Sequence, residues 1–154
     1  MYSRILVAID GSPHSENALR HATTLAKQLA AALRIVHVVD MGWLPIGPEL
    51  AIDIEPFARA RRTAGERTLA AARDTTRGAG VEAEINLIET VRPTQRTAEA
   101  IAEEAVTWLA DLVIVGTHGR SGMERLLLGS VAEGVARLSS APVLLVPLSR
   151  PPRA

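Results

Sequence analysis

The chain has no cysteine, a single lysine (Lys27) and few aromatic residues, 3% of 154. Without cysteine, neither a disulfide framework nor a thiolate metal site can form. So small an aromatic share argues against a stacking platform for single-stranded nucleic acid. The formal net charge is zero, which removes the electrostatic drive toward nucleic acid or an anionic membrane. One local exception, ARARRTAGER (Ala58 to Arg67), falls in a helical pattern and reads as a solvated face. No apolar run approaches about 18 residues and none at the N-terminus resembles a signal peptide. The expectation is a cytoplasmic protein without nucleic-acid or membrane partners.

What remains is an ordinary globular composition, 47% hydrophobic and 22% charged, with enough chain to bury roughly 70% of its unfolded surface. Apolar runs and helical stripes alternate. RILVAI (Arg4 to Ile9) suits a strand buried on both faces. Ser12 is a good N-cap and Pro13 a good first residue for the helix that follows. Leu33 to Val39 forms a second strand. A second helix runs from Pro56 to about Arg77, ended by Gly78 and Gly80. Val81 to Glu89 alternates apolar and polar residues, as a strand with one wetter face should. Pro93 opens a third helix whose apolar side is Ala98, Ile101, Ala102, Ala105, Trp108 and Leu109. Leu112 to Gly116 is a fourth strand. Val131, Val135 and Leu138 mark a fourth helix, with Glu133 and Arg137 spaced to pair. PVLLVP (Pro142 to Pro147) is a fifth strand. This describes one domain over residues 1–148 and a disordered tail at 149–154, with no internal repeat.

Such alternation predicts βαβ units and a single-domain α/β fold, an open parallel sheet with helices on both faces. The first, second and fourth strands are the most apolar and belong at its centre. Sheets of this kind bind ligands beyond the carboxyl ends of the strands, where the strand order reverses. If the first and fourth strands meet there, Asp10-Gly11-Ser12 and Gly116-Thr117-His118-Gly119 face one crevice.

The stretch GTHGRSGMERLLLGS (116 to 130) carries the chemistry. Gly116 and Gly119 let backbone N–H groups approach a ligand closely. Gly129-Ser130 stands where a helix begins, and a helix start offers unpaired N–H groups and a positive dipole end. Together they suit an anion such as a polyphosphate. Glycine spacing alone fits a flexible turn with a serine cap equally well. The P-loop pattern GxxxxGKS/T is absent, and so is a GxGxxG after the first strand, which excludes the two commonest phosphate fingerprints.

The same stretch matches G-x2-G-x9-G-S/T through Gly116, Gly119, Gly129 and Ser130. This resembles the ATP-binding motif of the universal stress protein family. RILVAIDGSPHSENAL, ADLVIVGTHGRSG and LLLGSVAEGVARLSSAPVLLVP extend the resemblance over nearly the whole chain. It implies a Rossmann-like nucleotide-binding sheet in the order 3-2-1-4-5, and ATP with Mg2+ or Mn2+ as cofactor. The nucleotide contacts it implies come from Ala8, Asp10, Gly11 and Ser12, from Val38 and Val39 beside adenine, and from the glycine loop. The loop residues are Gly116, Thr117, His118, Gly119, Arg120, Gly129, Ser130 and Val131. It further implies a homodimer through Pro142 to Pro147. Val91-Arg92-Pro93 departs from the family, whose members often place a glycine there.

Other residues read more plainly. Asp111, just before the fourth strand, is structural. Arg120 and Arg125 could pair with phosphates in place of the absent lysine, or be surface charges. His118 has no adjoining acid to support catalysis, and His14, His21 and His37 have no metal-ligand spacing. Asp40 to Pro56 is a long connection with apolar residues from Trp43 to Ile54, suited to a lid, to a partner surface, or to packing on its own domain. The function expected is a nucleotide-dependent stress-response regulator with slow or no ATP hydrolysis. The alternatives are a slow ATPase or phosphotransferase using His118 and Arg120, and a nucleotide-independent, chaperone-like dimer using the Trp43 to Ile54 loop.

Overall fold

A computed structural model describes residues 1–42, 53–92, 94–118 and 128–148. The elements are β1 (Arg4–Ala8), α1 (Pro13–Leu29), β2 (Ala32–Val39), α2 (Glu55–Gly78) and β3 (Ala83–Glu89). They continue with α3 (Thr97–Thr107), β4 (Leu112–Gly116), α4 (Ser130–Leu138) and β5 (Val143–Val146). The five strands form one sheet in the order β3-β2-β1-β4-β5, every neighbouring pair parallel. This is the α/β architecture expected of the alternating pattern, with the three most apolar strands at the centre.

Period-two alternation along β1 divides the core. Ile5 and Val7 pack with Leu33, Ile35 and Ile114 against Ala18, Ala22 and Leu69 of α1 and α2. Leu6 packs on the other face with Val36 and Val113, against Ile101, Trp108 and Val135. Successive side chains of a strand point to opposite faces, so a strand buried on both must be apolar throughout. Ile5, Leu6 and Val7 are accordingly all 0% exposed.

The predicted start of α1 is found: Ser12 is the N-cap, its hydroxyl accepts from the Ser15 N–H at 3.3 Å, and Pro13 is the first helical residue. The predicted Glu133–Arg137 pair is also present, at 3.4 Å on the surface of α4. Several boundaries differ. β3 starts at Ala83, because Val81 is spent closing α2, its N–H donating to the Thr76 carbonyl at 2.9 Å. α3 starts at Thr97 rather than at Pro93, which lies outside the described residues. Arg96 is extended (φ −88°, ψ 157°) and the Glu99 carboxylate accepts from its N–H at 3.4 Å, so the helix begins one residue later.

Leu109 is not on the apolar side of α3. It has φ 57° and is 74% exposed. The Ala110 N–H donates to the Ala105 carbonyl and the Leu109 N–H to the Val106 carbonyl, the paired closure that ends a helix on a left-handed residue. α4 likewise buries Ala132 and Val135, whereas Val131 and Leu138 are 39% and 53% exposed. Val131 turns toward a cavity instead of the core.

A charged cluster closes the amino-terminal edge of the sheet. The Arg4 and Arg34 guanidinium groups lie over the Trp108 ring, 4.3 and 4.9 Å from its centroid. Arg34 also pairs with Glu84 and, at 2.6 Å, with Glu104. Burial opposes the charge on Arg34, but these two carboxylates outweigh it and raise its pKa. Asp111 accepts from the Ser3 N–H, the Ser3 hydroxyl and the Arg4 N–H at 2.7–2.9 Å, which is the structural role its position suggests.

Candidate functional site

At the opposite, carboxyl edge, β1 lies between β2 and β4; the chain leaves β1 for α1 on one face of the sheet and β4 for α4 on the other. A cavity of about 330 Å³ opens at this reversal of strand order. Of the residues named from the sequence, Ala8, Asp10, Val38, Gly116, Thr117 and His118 line it, and so do Gly129, Ser130 and Val131. The structure thus brings the ends of β1, β2 and β4 together with the start of α4.

Gly11, Ser12 and Val39 stand beside the cavity without lining it. Gly11 has φ 80°, the left-handed turn that glycine favours. Ser12 is 5% exposed and occupied as the cap of α1. Val39 is 3% exposed, its carbonyl accepting from the Thr90 N–H. Gly119, Arg120 and Arg125 lie outside the described residues, as do residues 43–52 of the long connection and the tail at 149–154.

Asp10 is held in a network of hydrogen bonds. One carboxylate oxygen accepts from the Ser12 N–H at 2.9 Å, while the Asp10 N–H donates to the Ser15 hydroxyl at 3.2 Å. The Ser15 hydroxyl in turn donates to the Ser12 carbonyl. Across the cavity, Gly129 caps α4 and its N–H donates to the Thr117 carbonyl at 2.8 Å, fixing the helix start to the end of β4. The first helical N–H groups, at residues 130–132, have no acceptor within the helix.

Gly116 has a second reason to be glycine. A β-carbon there would stand 2.9 Å from the His14 carbonyl carbon and oxygen. The close approach is to the first turn of α1. The rings of His14 and His118 lie 5.1 Å apart, and His118 Nδ1 meets the Thr117 hydroxyl at 3.0 Å. Among the described residues, no cluster of three or more His, Asp or Glu side chains could cage a metal.

The lining residues not singled out as site residues are Ile9, Ser15, Thr97, Ile101, Val115 and Ala132. Thr97 is the first residue of α3, so two helix N-termini border the cavity, not one. Their dipoles both favour negative charge there.

Fold and crevice define an open α/β sheet with a cavity at its topological switch point and the first residues of α3 and α4 on its wall. The chain belongs to the universal stress protein family, whose profile matches residues 1–147. The universal stress protein YxiE of Bacillus subtilis is 34% identical over 154 residues, spanning 95% of this chain and 99% of its own. A solved universal stress protein from Burkholderia pseudomallei, 34% identical, superimposes with a TM-score of 0.77 over 95% of this chain and 96% of that one. A universal stress protein in complex with cAMP is 28% identical, with a TM-score of 0.70 over 96% of this chain and 99% of that one. One from Archaeoglobus fulgidus in complex with dAMP is 27% identical, with a TM-score of 0.65 over 94% and 98%. No helix among the described residues is long and apolar enough to cross a membrane.

Proposed function

We propose that the cavity binds ATP and that the protein is a nucleotide-dependent regulator of the stress response. The observation that carries this reading is the first turn of α4 on the cavity wall, where Ser130, Val131 and Ala132 line the same cavity as Gly116 and Thr117. A cradle of backbone donors beside a residue without a side chain suits phosphate oxygens. Ser130 adds a hydroxyl to the same seat, and the full motif Gly116, Gly119, Gly129 and Ser130 supports membership of the ATP-binding branch.

Ala8 and Val38 would face the nucleoside, with main-chain groups at the end of β2 recognising adenine. Two relatives that carry adenine nucleotides, cAMP and dAMP, support the base. Mg2+ or Mn2+ would be held mainly by phosphate oxygens, with Asp10 the carboxylate at hand. Hydrolysis would be slow or absent, since turnover needs a group that orients water as well as one that stabilises developing charge. His118, against Thr117, is the residue through which a slow ATPase would act. The proposal includes a cytoplasmic homodimer paired through Pro142 to Pro147, supported by the edge position of β5 and by Leu144, 37% exposed on it.

The test is a thermal melt of nucleotide-stripped protein with MgATP, MgGTP or neither, with the double variant Gly129→Ala/Ser130→Ala alongside. Ligand at 100 times its Kd stabilises by about 2.7 kcal/mol. A shift with ATP alone, lost in the variant, supports the reading. No shift at millimolar ATP rejects it.

A further inference from the structure

β1 ends at Ala8, yet β2 holds the next residue at both its N–H and its carbonyl. The Ile9 N–H donates to the Val36 carbonyl at 2.9 Å. The Ile9 carbonyl is met by Nδ1 of His37, also at 2.9 Å. A carbonyl oxygen only accepts, so Nδ1 carries a proton and donates. Where the strand ladder runs out, a side chain of β2 continues it. Asp10 follows directly, and Ile9 and Asp10 both line the crevice.

The space for this ring is made by α2. Gly65 is buried inside that helix, where glycine is a poor helix former. A β-carbon at 65 would stand 2.8 Å from His37 Cδ2, 3.2 Å from His37 Nε2 and 2.7 Å from Leu87 Cδ1. The helix thus carries a weak residue at the point where the imidazole is seated.

We propose that His37 is a positioning residue for the crevice. Seated on Gly65, it donates to the Ile9 carbonyl and so sets the place from which Asp10 meets a nucleotide. The inference rests on the ATP reading above. A histidine can do this at a strand end because its ring is rigid and its donor lies at fixed reach from the backbone. Phenylalanine would fill the same space without the donor, and asparagine would carry an N–H near the position of Nδ1.

The proton position is testable without a variant. Two-bond 1H–15N spectra of the nucleotide-free full chain should show His37 with its proton on Nδ1. A neutral ring protonated only on Nε2 would overturn the proposal. ATP affinity is then measured by calorimetry for His37→Phe, His37→Asn and Gly65→Ala. His37→Phe should bind about tenfold more weakly, and His37→Asn within about twofold of the parent. Gly65→Ala touches no residue of the crevice, yet it should weaken ATP as His37→Phe does, and the double variant should add little further. A purely structural role would lower stability in all three without sorting affinity by donor. Unaltered ATP affinity in folded His37→Phe overturns the proposal. If His37→Phe does not fold, Gly65→Ala decides: parental affinity with the Nδ1 proton signal displaced overturns it. A parent that does not bind ATP rejects the proposed function instead, which is a different outcome.

Discussion

Gly116 and His14 are in backbone contact: a β-carbon on the glycine would meet the His14 carbonyl carbon and oxygen at 2.9 Å. The last residue of β4 and the first turn of α1 therefore share one small space, and neither can yield without moving the other. Gly116→Ala should cost about 1–3 kcal/mol through overpacking. Urea unfolding would measure it. A cost near zero would mean that α1 shifts freely on the sheet.

Under the proposed ATP reading, a substitution at Ser130 should separate stability from ligand binding. This serine is the first residue of α4 and lines the crevice. Ser130→Asp puts a negative charge at the positive end of the helix, which stabilises by about 0.3–1 kcal/mol. The same charge would repel phosphate. The expected result is a melting temperature held or raised and ATP affinity lowered by about tenfold or more. A folded Ser130→Asp that binds ATP as the parent does would move the phosphates away from α4.

Trp108 should be the costliest single truncation at the amino-terminal edge. It is 5% exposed and carries Arg4 and Arg34 on its ring. Trp108→Ala is expected to destabilise by about 3–5 kcal/mol, measured by chemical unfolding. Glu104→Gln removes one carboxylate from Arg34 while keeping the shape of the side chain, and should cost less.

Asp111 adds a pH dependence whose sign follows from its partners. Burial acts to raise its pKa, but the Ser3 and Arg4 donors outweigh it and leave the value below the ordinary 3.8. A carboxylate with a depressed folded pKa gives stability that is full above the unfolded value. That stability is lost as pH falls through the folded one. Asp111→Asn should be less stable than the parent at neutral pH, and the gap should close only below pH 3.8. Urea midpoints of both proteins across pH 2–7 would show it, and a constant gap would refute the assignment.

The order of elements was legible because four strands are short, mainly apolar runs, β3 alternates apolar and polar residues, and each helix is a stripe. Asp10, Gly116, Gly129 and Ser130 could be expected at one crevice because they follow or precede those runs. The α3 wall could not. Its start is capped by Arg96 and Glu99, and arginine is no usual N-cap, so Pro93 gave the stronger signal. Leu109 fits the helical stripe by spacing yet ends the helix, because a leucine in left-handed conformation has no mark in sequence. Glycine spacing also could not distinguish a ligand from a helix as the neighbour of Gly116. Gly65 is the same case, since the ring it admits is 28 residues away in sequence.

The two edges of the sheet have consequences for how this chain can vary. The Arg4–Trp108–Arg34 cluster and Asp111 stand at one edge, and the crevice opens at the other. No residue named in one cluster belongs to the other. A lineage can therefore reshape the crevice without disturbing the charged cluster at the other ends of the strands. It can equally adjust that cluster to a hotter or more acidic habitat while the crevice stays as it was.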